Sequence, residues 1–337
     1  MFDLPKVKLN KTELRQNLAK LQSKTVLSYE FNGNRFFSPK TLEQLIALKS
    51  EYADATILAG GTDVGLWVNK QLRKLGPIIY VGEVAELKQI TTCDGFIRIG
   101  AGASISDVYD AISNYYPQMD EMWERFASPP IRNSATLGGN VANGSPIGDS
   151  MPVLISLGAE VVLRGSERAR TLLLEDFYLG YMKNALKADE IVECIKLPLP
   201  SPGKITRCYK LSKRYDSDIS AVFAAFSIVL LEERVESCVI AYGGMAATPK
   251  RASLCEQSLI GERWDEKPVQ NAMKIMAQDY SPMTDGRASD INRAKSAANL
   301  LYRFYLETRT SNPVKTEDLS VFASNLSVGD IPARVQS

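Results

Sequence analysis

Arg132-Asn133-Ser134-Ala135-Thr136-Leu137-Gly138-Gly139-Asn140-Val141-Ala142-Asn143-Gly144-Ser145-Pro146-Ile147-Gly148-Asp149-Ser150 lies between two apolar runs, and its reading decides the fold. The stretch holds four glycines, three asparagines and one proline. It is too polar for a core strand and too rich in glycine for a helix interior, where each glycine is costly. It therefore reads as a long loop. Successive small residues leave backbone N–H groups uncovered, and such a run can hold phosphate oxygens. Thr136, Asn140, Asn143 and Ser145 add polar side chains without bulk. A long structural turn would satisfy the same composition.

A companion lies upstream at Ile57-Leu58-Ala59-Gly60-Gly61-Thr62-Asp63-Val64-Gly65. Residues 55–58 read as a short strand, and Gly60-Gly61 as a turn that lets a ligand approach the backbone. Thr62 and Asp63 suit the cap of a helix over 64–75. A glycine turn that opens a helix presents amides without internal partners and so favours an anion. No Gly-Lys-Ser/Thr follows, which excludes a P-loop. Gly100-Ala101-Gly102 lacks the third glycine of the dinucleotide fingerprint, which argues against a Rossmann fold.

Four segments in order carry a resemblance: residues 59–65, 99–104, 136–140 and 145–149. Together they resemble the flavin-binding segments of the molybdenum hydroxylases, including the small subunit of bacterial xanthine dehydrogenase, over residues 25–310. The resemblance implies an α+β chain. A two-lobed FAD-binding domain of the vanillyl-alcohol-oxidase (PCMH) type would span 25–200, with lobes at 25–96 and 97–200. A smaller α+β domain at 204–310, resembling the CO dehydrogenase flavoprotein C-terminal domain, would follow it.

By the same resemblance, Leu58, Ala59, Gly60, Gly61, Thr62, Asp63 and Val64 hold the FAD pyrophosphate and flank the ring. Phe126 and Ala127 line the adenine or the ring edge. Thr136, Gly139, Asn140, Asn143 and Asp149 hold the rest, with Asp149 on the ribose hydroxyls. Ile191 or Val192 packs on the cofactor, and Lys210 meets the flavin from the last domain. Read alone, Asp63 and Asp149 equally suit helix caps, Phe126 a core position, and Lys210 a solvated strand. The resemblance also implies the chemistry: electrons enter from a [2Fe–2S] cluster fed by a molybdenum cofactor and leave as hydride to NAD⁺. The flavin carries that chemistry, so no catalytic side chain and no metal ligand is expected in this chain. Partners would be an iron–sulfur domain and a molybdenum-cofactor subunit, in a hetero-oligomer.

Composition agrees with a globular chain and sets limits. The 337 residues are 45% hydrophobic and 23% charged, with 40 basic and 39 acidic residues. A net charge of +1 makes no electrostatic case for nucleic acid. No apolar run approaches the roughly 18 residues of a membrane span, and the start of the sequence lacks a secretory core; a cytoplasmic protein is expected. Cys93, Cys194, Cys208, Cys238 and Cys255 are widely spaced and never form Cys-x-x-Cys, which disfavours a disulfide framework, a zinc site or a cluster of four thiolates. The iron–sulfur cluster is thus expected on removed domains or on another polypeptide. Histidine is absent, which removes histidine triads and histidine acid–base chemistry.

In chain order, residues 11–23 read as a linker helix with Leu14, Leu18 and Leu21 on one face, packing on the body or on a missing domain. Residues 30–37 read as a strand and turn, and 38–49 as an amphipathic helix. A short strand at 78–81 and a hairpin about Cys93-Asp94-Gly95 complete the first lobe. Helices at 106–114, 119–126 and 150–157 and strands at 160–164 and 190–197 make the second. Residues 174–182 read as a helix or turn. Residues 198–202, with three prolines, end the domain. A basic strand at 204–213, a buried hairpin at 221–231 and 235–241, and helices at 252–259, 267–278 and 289–307 form the last domain. Residues 311–337 read as a flexible tail.

Three other functions suit the same residues. A close relative of the leading reading is a flavin subunit of a carbon monoxide or nicotinate hydroxylase. A second class is a self-sufficient flavin reductase like the enolpyruvyl reductase of cell-wall synthesis, which needs a proton donor near the flavin, and none stands out. A third is a non-catalytic assembly module whose glycine loops are structural.

Overall fold

Three apolar patterns in the chain build three cores. The computed structural model describes residues 10–21, 23–315 and 319. In the first core, β1 (Leu27–Phe31) and β2 (Asn34–Ser38) pair through an Asn32-Gly33 turn with both φ angles positive, at 49° and 75°. Asn-Gly favours this conformation, whose twist matches the flanking strands. β3 (Thr56–Leu58) and β4 (Ile78–Tyr80) complete a sheet of order β1-β2-β4-β3, parallel at both contacts of β4. Helix α2 (Leu42–Glu51) is capped by Thr41, whose hydroxyl accepts from the Gln44 amide at 3.2 Å, and it buries Leu45 against Phe37, Ile79 and Val84. Helix α1 (Lys11–Lys20) buries no residue, and Leu14, Leu18 and Leu21 are exposed rather than packed on the body. Helix α3 (Val64–Asn69) ends six residues before the expected 75, and three residues beyond its end Leu72 turns left-handed at φ 54°.

The second core surrounds a five-stranded antiparallel sheet of order β5-β6-β11-β7-β8. Its strands are β5 (Ile90–Cys93), β6 (Phe96–Gly100), β7 (Glu160–Arg164), β8 (Ala169–Leu173) and β11 (Ile191–Pro198), with a small ribbon of β9 (Tyr178–Gly180) and β10 (Lys183–Asn184). The Cys93-Asp94-Gly95 hairpin, read with the first lobe, belongs to this sheet. Alternate residues Ile97 and Ile99 enter the second core, and β6 pairs with β11 from Gly100↔Cys194 to Phe96↔Pro198. β8, an edge strand with only two of its five residues partly shielded, has no counterpart in the sequence reading.

The glycine stretch also departs from its reading. Residues read as a loop form two short helices, α6 (Pro129–Ser134) and α7 (Leu137–Asn143). They follow α4 (Ile105–Ser113) and α5 (Asp120–Arg125). The helical cost of Gly138 is offset by close packing, since a Cβ there would lie 2.3 Å from the Ala101 Cβ. Thr136 caps α7, accepting from the Gly139 amide at 3.1 Å, and Gly144 ends it at φ 58°.

Helix α8 (Ser150–Leu157) is buried along its whole length, because it lies between the second core and the last domain. That domain is a meander of β12 (Lys204–Leu211), β13 (Val222–Leu231), β14 (Arg234–Gly243) and β15 (Lys250–Arg251). α8 packs on one face of β13 and β14. α10 (Ser253–Leu259), α11 (Glu266–Ile275) and α12 (Asp290–Thr308) supply the core of the other, after the short α9 (Leu174–Phe177) of the second core. Both faces being covered explains why β13 is a near-continuous apolar run rather than an alternating one. No helix among the described residues is long and apolar enough to cross a membrane. Of the tail read from residue 311, positions 316–318 and 320–337 lie outside the described residues, as do residues 1–9 and residue 22 of the expected linker segment 1–24.

Candidate cofactor site

β3 ends at Leu58, and the chain turns through Ala59-Gly60-Gly61-Thr62-Asp63 into α3. Gly60 sits directly on the turn between α6 and α7. The Ser134 hydroxyl donates to the Gly60 carbonyl at 2.8 Å, and a Cβ on Gly60 would lie 1.8 Å from the Ser134 carbonyl oxygen. Gly61 is left-handed at φ 75°. The amides of Gly60, Gly61, Thr62 and Asp63 donate to no acceptor among the described residues. Four consecutive open amides make a concave donor surface of the kind that holds phosphate oxygens.

The second wall is locked by the segment 100–104. Leu137 N donates to Ala103 O, Gly138 N to Ala101 O, and Ile105 N to Ala135 O, at 2.8–3.1 Å. Gly100 is required there because a Cβ would meet the Leu87 carbonyl at 2.2 Å. The two glycine segments thus serve different ends: one keeps amides open, and the other lets three backbone strands touch.

Between these walls lies a cavity of about 830 Å³, within the range of cofactor sites. It is lined by Ala59, Gly60, Gly61, Thr62, Asp63 and Val64 from the first core, which Ile191 of β11 also joins, and by Thr136, Gly139, Asn140, Asn143 and Val192 from the second. Of the residues read as cofactor ligands, these come together. Leu58 stays in the sheet, where its carbonyl accepts from the Val81 amide at 2.9 Å. Phe126 and Ala127 lie outside the cavity wall. Their carbonyls each accept from Arg132 Nη1 at 2.8 Å, and Ala127 is left-handed at φ 52°.

Asp149 and Lys210 also lie outside it, and they hold each other. Lys210 Nζ lies 2.5 Å from Asp149 Oδ2, and the Ser220 hydroxyl donates to Oδ1 at 2.6 Å. Both side chains are at most 4% exposed. The expected placement of Asp149 on ribose hydroxyls is therefore not what the structure shows: its two oxygens already accept from Lys210 and Ser220. Nor does it cap α8 or Asp63 cap α3 through the side chain. Burial pushes the Asp149 carboxyl up, and Lys210 opposes the shift.

Sequence reasoning missed several lining residues: Lys49, Arg73, Tyr181, Asn184 and Lys187. They are scattered over α2, β10 and the connecting segments and carry no local pattern. Lys49 donates to the carbonyls of Ala53 and Ala55 at 2.6 and 3.2 Å, and burial pulls its ammonium down. Burial alone pushes the Asp63 carboxyl up. Glu190 is held down first by a two-pronged bond from Arg170, at 2.8 and 2.7 Å. Asn143 Oδ1 is buried with no hydrogen-bond partner among the described residues, a position that a ligand donor would complete. Open amides for a diphosphate and an orphaned amide oxygen on the wall of one cavity fit FAD.

Comparison with known proteins agrees. Residues 29–200 match the family described as FAD binding domain in molybdopterin dehydrogenase, and 207–308 the CO dehydrogenase flavoprotein C-terminal domain. Among curated relatives, the xanthine dehydrogenase/oxidase of Gallus gallus is 29% identical over 82% of this chain and 22% of its own length. The chain therefore spans about a fifth of that relative. The nicotinate dehydrogenase FAD-subunit of Eubacterium barkeri is 27% identical over 81% of this chain and 95% of its own. A chain of the carbon monoxide dehydrogenase from Hydrogenophaga pseudoflava superposes with TM-score 0.75 at 25% identity, covering 82% of this chain and 96% of that one. The match of the first family spans half of the sequence and includes every residue that lines the cavity, so the chain belongs to the FAD-binding domains of the molybdopterin dehydrogenases.

Proposed function

We propose that this chain is the FAD-binding part of a xanthine-dehydrogenase-type molybdenum hydroxylase, an oxidoreductase. In this reading it takes electrons from iron–sulfur clusters and passes them as hydride to NAD⁺. The clusters and the molybdenum cofactor would lie on partner domains or subunits, in a cytoplasmic hetero-oligomer. The observation that carries the reading is the pairing of four open amides at 60–63 with the orphaned Asn143 oxygen across one cavity. Family membership and the xanthine dehydrogenases among the relatives support the reaction.

Bound FAD supplies both the two-electron and the one-electron chemistry that joins clusters to a nicotinamide. The chain's own residues bind and orient. The amides at 60–63 hold the pyrophosphate, and Gly60 lets that loop reach the α7 wall. Thr136 fixes the start of α7, so that Gly139, Asn140 and Asn143 face the cofactor. Val192 and Ile191 give an apolar floor. Lys210, held by Asp149 and Ser220, supplies positive charge from the last domain at the flavin-ring end. The domain limits of 25–200 and 204–310 belong to the same proposal.

A second reading, a flavin subunit of nicotinate or carbon monoxide type, is favoured by one observation. The nicotinate dehydrogenase FAD-subunit is matched over almost its whole length, so a separate flavin chain of this size has a precedent. An anaerobic spectrum of the purified chain loaded with FAD tests both. Retained flavin bands that bleach with NADH support the xanthine-dehydrogenase reading. Retained bands that NADH leaves unchanged move the acceptor away from NAD⁺. A chain that retains no FAD under any loading condition overturns both.

A further inference from the structure

The ribbon β9–β10 carries large apolar side chains in water. Tyr181 is 67% exposed and Met182 50%, and both line the cavity. The base of this ribbon is firmly fastened. The Tyr178 hydroxyl donates to Val141 O at 3.1 Å, Asn184 Nδ2 to Ala142 O at 2.9 Å, and Ala185 N to Phe177 O at 2.9 Å. Tyr178 also packs so closely on α7 that a Cβ on Gly144 would meet its ring at 2.7 Å. The tip, in contrast, ends in a left-handed Met182 at φ 53° that holds the turn over the cavity mouth. An exposed aromatic on a rigid support at the rim of a cofactor cavity is suited to covering a planar ring, at little further cost in ordering.

Which ring follows from the shape of the site. No residue of the last domain lines the cavity, whose wall runs from the open amides toward Lys49 and Ala53 of the first core and the segment 184–192. In the reading above, the flavin ring lies toward Lys210 and the last domain. The half of the dinucleotide that fills this cavity is then the adenosine half. We infer that Tyr181, backed by Met182, stacks on the adenine of FAD and makes this site selective for the dinucleotide over the mononucleotide. The inference rests on the proposal that FAD occupies the cavity.

The test is a fluorescence titration of the full chain with FAD, with ADP and FMN as competitors. It compares the wild type with Tyr181→Ala and Tyr181→Phe. Because Tyr181 is exposed, the Ala variant should keep the wild-type melting profile, which is measured alongside. The expected result is an FAD Kd raised about tenfold in Tyr181→Ala, a stacking loss at the lower end of the usual range. ADP competition should weaken by the same factor, FMN competition should not change, and Tyr181→Phe should behave as wild type. An unchanged FAD Kd in Tyr181→Ala overturns the inference, as does an equal loss for FMN and ADP. Failure of the wild-type chain to bind FAD overturns the underlying reading, and this inference falls with it.

Discussion

Replacing Lys210 by methionine removes one partner of a buried ion pair while keeping most of the side-chain volume. The Lys210 and Asp149 side chains are 2% and 4% exposed, so neither charge is solvated in the absence of the other. Removing one member of such a pair leaves an uncompensated buried charge and costs about 3–5 kcal/mol, against ~1 kcal/mol or less for an exposed pair. At about 2–4 °C per kcal/mol, the melting midpoint should fall by at least about 6 °C. The sign of the pH dependence follows from Asp149. Burial already pushes its carboxyl up, and without Lys210 the group escapes its penalty by taking up a proton. A carboxyl raised in the folded state contributes stability at low pH and loses it as pH rises. The deficit of Lys210→Met should therefore be smaller at about pH 5 than at about pH 8. The double variant Asp149→Asn/Lys210→Met should recover most of the loss, since replacing both charges is often near neutral. Melts of the four proteins at both pH values make a double-mutant cycle. A Lys210→Met cost under about 1 kcal/mol, or no coupling with Asp149, would refute the reasoning.

Three further outcomes are expected. Gly60→Ala places a Cβ 1.8 Å from the Ser134 carbonyl oxygen and must push the two cavity walls apart. It should cost about 1–3 kcal/mol and weaken FAD retention on desalting, whereas a stable variant with unchanged retention would show that the two loops tolerate separation. Asp63→Asn tests the carboxyl that burial pushes up beside the open amides. The wild type should bind FAD more weakly as pH rises through the raised ionisation of Asp63, which places a charge beside the pyrophosphate, and the variant should flatten that dependence; identical pH profiles would remove Asp63 from the phosphate site. Finally, Cys93 is exposed while Cys194, Cys238 and Cys255 are buried, with the Cys194 and Cys238 thiols pushed up to about 11 and about 12 by burial. Ellman's reagent should titrate Cys93 rapidly in the native protein and all five thiols in denaturant. Rapid loss of a second native thiol would contradict the packing described.

Much of the fold was legible because its signals are local. The apolar stretch at 150–157 is α8 to the residue, and 160–164 is β7. The apolar runs on either side of Glu232-Glu233 pair as β13 and β14, as run length and turn position required. The order of the glycine segments was enough to indicate the family, since each segment is short and its spacing survives in the chain. Less of the site was legible. Thr62, Asn140 and Asn143 line the cavity, but Lys49, Arg73 and Tyr181 line it too, from places where nothing nearby marks them.

What the sequence determined by itself was a list of helices and strands, set by the period of their apolar residues, and a set of glycines that demanded close backbone approach. Only the tertiary structure decided what those glycines approach. Gly60 meets Ser134 across 74 residues, and Gly138 meets Ala101 across 37, so α7 is helical through packing that no local propensity reveals. The same holds for the Cys93–Gly95 hairpin, drawn into the second sheet by β11 nearly a hundred residues away, and for Asp149, claimed by Lys210 across 61 residues. Periodicity is a property of neighbouring residues and can be read from a string. Which glycine meets which carbonyl, and which acid is buried beside which base, depends on burial and distance, and those exist only once the three cores have closed on one another.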